Sequence, residues 1–108
     1  MKVKSVRTGL LLDFYGNLLT DRMRITCEEY FNDDLSLAEI AQDEGISRQG
    51  VYDTIRRAAR QLEEYEERLG LLALFERQQQ RARKALEFLA ENKADNARKE
   101  LEHLIEEM

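Results

Sequence analysis

Two helix-start signals lie close together, at Ser36 and Ser47, with Gly45 between them. Ser36 and Glu39 fit the S-x-x-E capping box, in which the serine hydroxyl accepts from the Glu39 amide and the carboxylate returns to the Ser36 amide. Gly45 can adopt the left-handed conformation that ends a helix, and Ser47 can cap the next one. The pattern predicts a short helix, a tight turn and a second helix, which is the arrangement of a helix-turn-helix motif.

The second helix of this pair is predicted to run from Arg48 to Leu69. Its apolar residues recur at gaps of four and three, which is a heptad seam. The seam comprises Val51, Ile55, Ala58, Leu62, Tyr65, Leu69 and Leu72. Such a helix is roughly 33 Å long at 1.5 Å per residue, more than a small three-helix core covers. We therefore expect its second half to project or to pack on later helices, and Gly70 to kink or break the chain.

Further helices are predicted on both sides of this pair. Upstream, apolar residues at helical spacing predict one helix that stops near Gly16 and another that Thr20 caps. Downstream, a helical pattern continues to a break at Asn92-Lys93, and a last helix follows. The chain has no proline and few runs that favour strands. We predict an all-α protein with a helix-turn-helix domain over residues 5–68, followed by a C-terminal helical arm over residues 71–108 that mediates self-association. Within the domain, Leu35 to Leu62 resemble region 4 of sigma factors.

Basic charge is concentrated in the second helix of the motif, although the whole chain has a formal net charge of −5. Between Ser47 and Arg60 there are four arginines and one acid, Asp53. Arginine can grip guanine bidentately and glutamine can do the same for adenine, so Arg48 and Gln49 are the best candidate base readers in a major groove. The predicted partner is duplex DNA. The predicted DNA-binding residues are Ser47, Arg48, Gln49, Tyr52, Arg56, Arg57 and Arg60.

Three observations keep other interpretations open. The arginines also fit an ordinary helical hairpin with a solvated face, and Asp53 is expected to pair with Arg57 rather than to accept from a cytosine. Seven acids precede the motif's second helix and oppose non-specific attraction to DNA. They are Glu28, Glu29, Asp33, Asp34, Glu39, Asp43 and Glu44. A second basic segment, from Arg77 to Lys84, fits either a phosphate-binding patch or a solvated helix face.

The segments "LLDFYGNLLT" and "DLSLAEIAQDEGISRQGVYDTIRRAARQLEEYEERLGLL" resemble the small bacterial YlxM-type proteins, a helix-turn-helix family encoded beside signal recognition particle genes. The resemblance covers roughly Leu11 to Leu72, and members usually have alanine at the position of Gly50. It implies an all-helical protein and a regulatory role linked to the signal recognition particle pathway. A component of that particle is therefore a further candidate partner. The alternative function is a protein or ribonucleoprotein interaction module that regulates this machinery without sequence-specific DNA binding.

A homodimer is favoured, because two-fold symmetry doubles the contacts of a groove-reading helix. The seam from Val51 to Leu72 and a second seam from Ala94 to Met108 are the candidate interfaces, unless they close within the chain.

Enzyme chemistry has little support in the sequence. Cys27 lies on an apolar helical stripe, which is typical of a buried hydrophobe, and His103 has neither a second histidine nor a cysteine pair for zinc. No glycine-rich phosphate loop is present, so we expect no cofactor and no metal. The apolar run near the N-terminus is too short for a signal peptide or a membrane span. The predicted protein is a cytoplasmic transcription regulator.

Overall fold

The structure, a computed structural model, describes residues 5–107, and this part of the chain contains helices and turns but no strand. This confirms the all-α prediction. The chain forms two compact units, of which the first ends at Gly70 and the second begins at Leu71. The first unit contains α1 (Val6–Tyr15), a 3-10 helix (Gly16–Leu18), α2 (Asp21–Phe31), α3 (Leu37–Glu44) and α4 (Arg48–Leu69). The second unit contains α5 (Leu71–Ala90) and α6 (Ala94–Glu107).

Local signals set the helix ends of the first unit as the sequence predicts. The side-chain oxygens of Thr20, Ser36 and Ser47 each accept from the backbone amide three residues further on, at 3.2, 3.1 and 2.9 Å. α3 ends at Gly45 with φ 70°, and α4 ends at Gly70 with φ 64°. A side chain in this left-handed region costs about 1–2 kcal/mol, so glycine is the favoured residue at both stops.

α3 and α4 share a core that fixes the helix-turn-helix motif. Ile40 and Ala41 of α3 pack with Val51 and Ile55 of α4, and Ile46 in the turn covers this cluster. Because Ala41 has a small side chain, the two helices can approach closely where they cross. The inner side of α4 is therefore held against the rest of the unit while its other side faces solvent.

The heptad seam of α4 is closed within the first unit. Val51, Ile55, Ala58 and Leu62 have no exposed surface, because helices of the same unit cover them. For its first four residues the seam therefore closes within the chain, which is the alternative that the sequence pattern left open, and these residues are not available to a dimer interface.

The second half of α4 packs on α1, an earlier helix of the same unit, so it does not project from this unit. Tyr15 donates its hydroxyl to Oε1 of Glu66 at 2.6 Å, and Arg7 donates from Nε to Oε1 of Glu63 at 2.7 Å. These partners are more than 50 residues apart in the sequence. The helical pattern alone did not reveal the contact, because periodicity identifies an apolar face but not the element that covers it.

The second unit is an antiparallel hairpin of α5 and α6. Asn92, with φ 61°, ends α5 at the predicted break, and the Lys93 amide donates to the Phe88 carbonyl at 2.8 Å. Ala85 and Ala97 are buried in the hairpin. Small side chains at these positions allow the two helices to pack closely.

Candidate nucleic-acid interface

The turn before α4 is built from backbone and side-chain hydrogen bonds. The Ile46 amide donates to the Ala41 carbonyl at 3.1 Å, which closes the turn behind Gly45. Ser36 and Glu39 form the complete capping box at the start of α3. The bond from the Ser36 amide to Glu39 is the main reason why the pKa of the Glu39 carboxyl is lowered from its ordinary value. The start of α4 is thus positioned by groups that belong to the motif itself.

The first turn of α4 is crowded around Gly50. Its amide donates to Oγ of Ser47 at 2.9 Å, and its carbonyl accepts from Oγ1 of Thr54 at 2.9 Å. A Cβ atom at Gly50 would lie 3.2 Å from Oγ of Ser47. The group that approaches Gly50 most closely is therefore the serine cap, and the Ser47 hydroxyl is already engaged as an acceptor.

The predicted DNA-binding residues lie on the solvent side of α4. Ser47, Arg48, Gln49, Arg56, Arg57 and Arg60 are exposed, and Tyr52 is half-buried. The Arg56 guanidinium lies 5.6 Å from the centroid of the Tyr52 ring, which is within the range of a cation–π contact. This contact restrains Arg56 while leaving the edges of its guanidinium group open for hydrogen bonds.

Asp53 does not pair with Arg57, which corrects the sequence-based prediction. Its Oδ1 accepts from Nε2 of Gln49 at 2.9 Å instead. Gln49 and Asp53 are one helical turn apart, as are Asp53 and Arg57, so helical spacing allows both pairings and the structure has the first. A consequence is that the amide of Gln49 already has a partner in the unbound protein.

An open cleft of about 500 Å³ lies between the start of α2 and the exposed side of α4. We call it the arginine cleft. Its lining contains four arginines, of which Arg56, Arg57 and Arg60 were predicted site residues and Arg22 of α2 was not. The other lining residues are Ile46, Gly50, Asp53 and Thr54. The structure thus brings together three of the predicted residues with Arg22, while Ser47, Arg48, Gln49 and Tyr52 lie outside this cleft.

Arg22 was missed because it lies outside the motif. The sequence does indicate that Arg22 points to solvent, because Arg22 is next to Met23 but does not lie on the apolar stripe of α2. Periodicity could not tell which part of α4 it faces.

Acidic groups gather where α2 and α3 end. Partial burial is the largest cause of a raised pKa at Glu29, and the charges of Glu44, Asp43 and Asp33 raise it further. Thr26 donates its hydroxyl to both carboxylate oxygens of Glu44, at 3.1 and 3.0 Å. These acids form a negatively charged surface on the same unit as the arginine cleft.

The second basic segment is partly neutralised within its own hairpin. Arg81 lies 3.5 Å from Glu100 and 3.6 Å from Glu107, and Arg77 lies 4.0 Å from Glu107. Arg83 and Lys84 are exposed. Part of the segment from Arg77 to Lys84 therefore forms ion pairs within the hairpin, and phosphate binding by this segment stays a prediction.

Cys27 is fully buried, as its place on the apolar stripe predicts. Burial, followed by the nearby charge of Glu28, raises the pKa of its thiol to about 12, so the reactive thiolate is scarce in the folded protein. His103 is exposed, and its Nδ1 lies 3.9 Å from Glu106. Within residues 5–107, histidine, cysteine and acidic side chains form no cluster of the size needed to hold a metal ion.

Comparison with known proteins places these features in a family. The family model described as "Putative helix-turn-helix protein, YlxM / p13 like" matches residues 2–107. The chain belongs to the UPF0122 family. UPF0122 protein BH2485 of Halalkalibacterium halodurans is 51% identical over 74 residues, which are 68% of each chain. A UPF0122 protein of Bacillus cereus is 44% identical over 90 residues, 83% of this chain and 82% of the relative.

The family description agrees with the α3–turn–α4 geometry, and it confirms the YlxM-type resemblance of the sequence. In the described part of this UPF0122 chain, none of the helices combines the length and the hydropathy of a membrane-crossing segment.

Proposed function

We propose that this UPF0122 protein is a regulator of transcription that binds duplex DNA through the exposed side of α4 and acts as a homodimer. The observation that carries the proposal is the concentration of exposed arginines on one side of a rigidly capped helix. This surface is basic even though the whole chain is acidic, because Asp53 is the only acid between Ser47 and Arg60 and other acids gather at the ends of α2 and α3. An α-helix fits the major groove, and the residues near its N-terminus reach the base edges there.

Arg48, Gln49, Tyr52 and Arg56 are the proposed base-reading residues. Arg48 and Arg56 are suited to guanine, and Tyr52 keeps Arg56 directed by the cation–π contact. Gln49 would have to release Asp53 before it contacts an adenine, because its amide donates to that carboxylate in the unbound protein. Ser47, Arg57 and Arg60 are the proposed phosphate contacts.

Selection from a random duplex library tests the proposal. The parent chain should enrich one DNA sequence, and Arg48→Gln with Arg56→Gln should abolish the preference between that sequence and a scrambled duplex. Arg68→Gln is the matched control, because Arg68 is exposed in the last turn of the same helix and the charge change per residue is equal. Equal affinity of the parent for all duplexes, or an unchanged preference in the double variant, would refute the assignment.

The homodimer is proposed from the second unit. We call Leu86, Leu89, Leu101 and Ile105 the apolar face; these side chains are 67, 52, 44 and 68% exposed. Helical spacing puts each pair on one face of its helix, and it puts Leu86 and Leu89 about 140° and about 80° around α5 from the paired Arg81. Each helix of the hairpin thus carries two neighbouring exposed aliphatic side chains, which a second copy would cover while bringing two α4 helices to one DNA site.

Sedimentation of the full chain tests this part of the proposal. The parent should sediment as a dimer at micromolar concentration, and Leu86→Arg or Ile105→Arg should sediment as monomers with unchanged helix content. Gln80→Arg is the control, because it adds the same charge to an exposed position of α5 outside the apolar face. A monomeric parent would remove the dimer from the proposal and leave the DNA-binding part standing.

The acidic surface favours a second candidate function. Glu29, Asp33, Asp43 and Glu44 suit a basic protein segment better than a nucleic acid, because like charges repel DNA and opposite charges accelerate protein association. This candidate is an interaction module that regulates the signal recognition particle machinery. Retention of the purified chain on a component of that particle, with no retention on any duplex, would favour it over the DNA-binding regulator.

A further inference from the structure

We infer that the arginine cleft is a binding site for a phosphodiester group of duplex DNA, and that Arg22 contacts this phosphate from α2, outside the helix-turn-helix motif. The inference rests on the proposed function and extends it to a residue and a contact that the motif does not include. In this arrangement the DNA is contacted by residues of α4 and, in addition, by Arg22 of α2.

Charge in the cleft favours an anion. The lining holds four guanidinium groups and one carboxylate, that of Asp53. The carboxylate of Asp53 accepts from Gln49 and forms no ion pair with an arginine of the cleft, and its charge leaves the lining with a formal net charge of 4 − 1 = +3. Within residues 5–107, no carboxylate oxygen lies within 4.0 Å of a guanidinium nitrogen of Arg22, Arg57 or Arg60.

The neighbouring arginine of α2 shows the contrast. Arg24 lies 3.2 Å from Glu28 and 3.6 Å from Asp21, so its charge is already matched on its own helix. Arg22, two residues earlier, has no such pair in the described chain and lines the cleft instead. A guanidinium group without a carboxylate partner is available for the bidentate hydrogen bonds that arginine makes with phosphate.

Position on α4 favours the DNA backbone over the base edges. Gly50, Thr54 and Arg57 recur at i, i+4 and i+7 and form one stripe of the helix that lines the cleft. Arg48, Tyr52 and Arg56 lie on another stripe, which is the side proposed to face the bases, and Arg56 also reaches the edge of the cleft. A helix in the major groove is flanked by sugar-phosphate backbone, so a basic cleft at its side is placed for a phosphate.

Gly50 leaves space at one side of the cleft. Gly50 contributes only backbone atoms to the lining, because it has no side chain. Backbone and short side chains on this side let a phosphate approach the arginines without displacing a bulky group.

Salt-dependent titration of the full chain tests the inference, with Arg22→Gln as the variant and Arg24→Gln as the matched control. Both variants remove one positive charge from the same helix. One lost phosphate contact lowers the slope of log affinity against log salt by about 0.9, so the affinity ratio of parent to Arg22→Gln should shrink about threefold between 50 and 200 mM salt. Arg22→Gln should weaken all duplexes equally, and Arg24→Gln should keep the parental slope.

Two further measurements make each outcome decisive. Methylphosphonate substitution of single phosphates in the duplex should identify one position that weakens the parent but not Arg22→Gln, which is the expected result. Inorganic pyrophosphate serves as the free-phosphate probe. If pyrophosphate binds in an Arg22-dependent manner while no duplex binds, the cleft is a site for free phosphate, and both the inferred DNA contact and the proposed function are refuted. If the parent binds duplex and Arg22→Gln keeps the parental salt slope, only the role of Arg22 is overturned.

Discussion

The hydrogen bond between Tyr15 and Glu66 should be one of the largest single polar contributions to the stability of the first unit. Tyr15 is 1% exposed and Glu66 is 9% exposed, and their oxygens are 2.6 Å apart. A hydrogen bond to a charged group contributes about 1.5–3 kcal/mol, and Tyr15→Phe removes the donor while leaving the carboxylate buried. We therefore expect Tyr15→Phe to lower the free energy of unfolding by about 2 kcal/mol.

Tyr65→Phe is the matched control for this prediction. Its hydroxyl donates to the Leu18 carbonyl at 3.2 Å, and Tyr65 is only half-buried, so water can replace the lost partner. Its loss should cost on the order of 0.5 kcal/mol, because the bond is neutral and solvent-accessible.

Thiol labelling of Cys27 measures the unfolding of this unit alone. Cys27 is the only cysteine and is fully buried, so a thiol reagent reacts when the first unit opens. In mild urea, Tyr15→Phe should be labelled about 30-fold faster than the parent, since about 1.4 kcal/mol corresponds to a factor of ten. Equal labelling of the two phenylalanine variants would contradict the reasoning. So would additive effects of Tyr15→Phe and Glu66→Gln, because directly bonded groups must couple in a double-mutant cycle.

Four further substitutions have expected outcomes in the same labelling assay. Ser47→Ala removes the cap of α4 and should cost about 1 kcal/mol of unfolding free energy. Gly45→Ala places a side chain at φ 70° and should cost about 1–2 kcal/mol, whereas Gly9→Ala, in a helix with open space around the new Cβ, should stabilise the unit. Glu29→Gln should stabilise the unit at pH 7 and lose this effect towards pH 4, because the raised folded-state pKa makes the charged carboxyl unfavourable above the ordinary value of 4.5 and has no effect below it.

Features that depend on neighbouring residues were predictable from the sequence. The caps at Thr20, Ser36 and Ser47 and the glycine stop at Gly45 each involve partners within about five residues, so the residue types alone specify them. Because these signals bracket α3 and the start of α4, the helix-turn-helix motif could be located without coordinates.

Features that depend on distant residues were not predictable. Nothing near Glu66 in the sequence indicates Tyr15, and nothing near Arg57 indicates that Arg22 shares its cleft. The prediction for Asp53 failed for a different reason, since Gln49 and Arg57 are both one turn away and spacing cannot rank them. The pairing of Arg81 with Glu107 likewise required knowledge of how α5 and α6 align.

α4 is one continuous helix whose C-terminal half packs against α1 and whose N-terminal half carries the arginines. A helix turns by about 100° per residue. Inserting or deleting a single residue between Ala58 and Leu62 would therefore rotate the N-terminal half of α4 by that angle relative to its C-terminal half. A change of length in the middle of α4 should therefore abolish the proposed DNA binding even where every original side chain is kept. The turn around Asn92 should accept insertions freely.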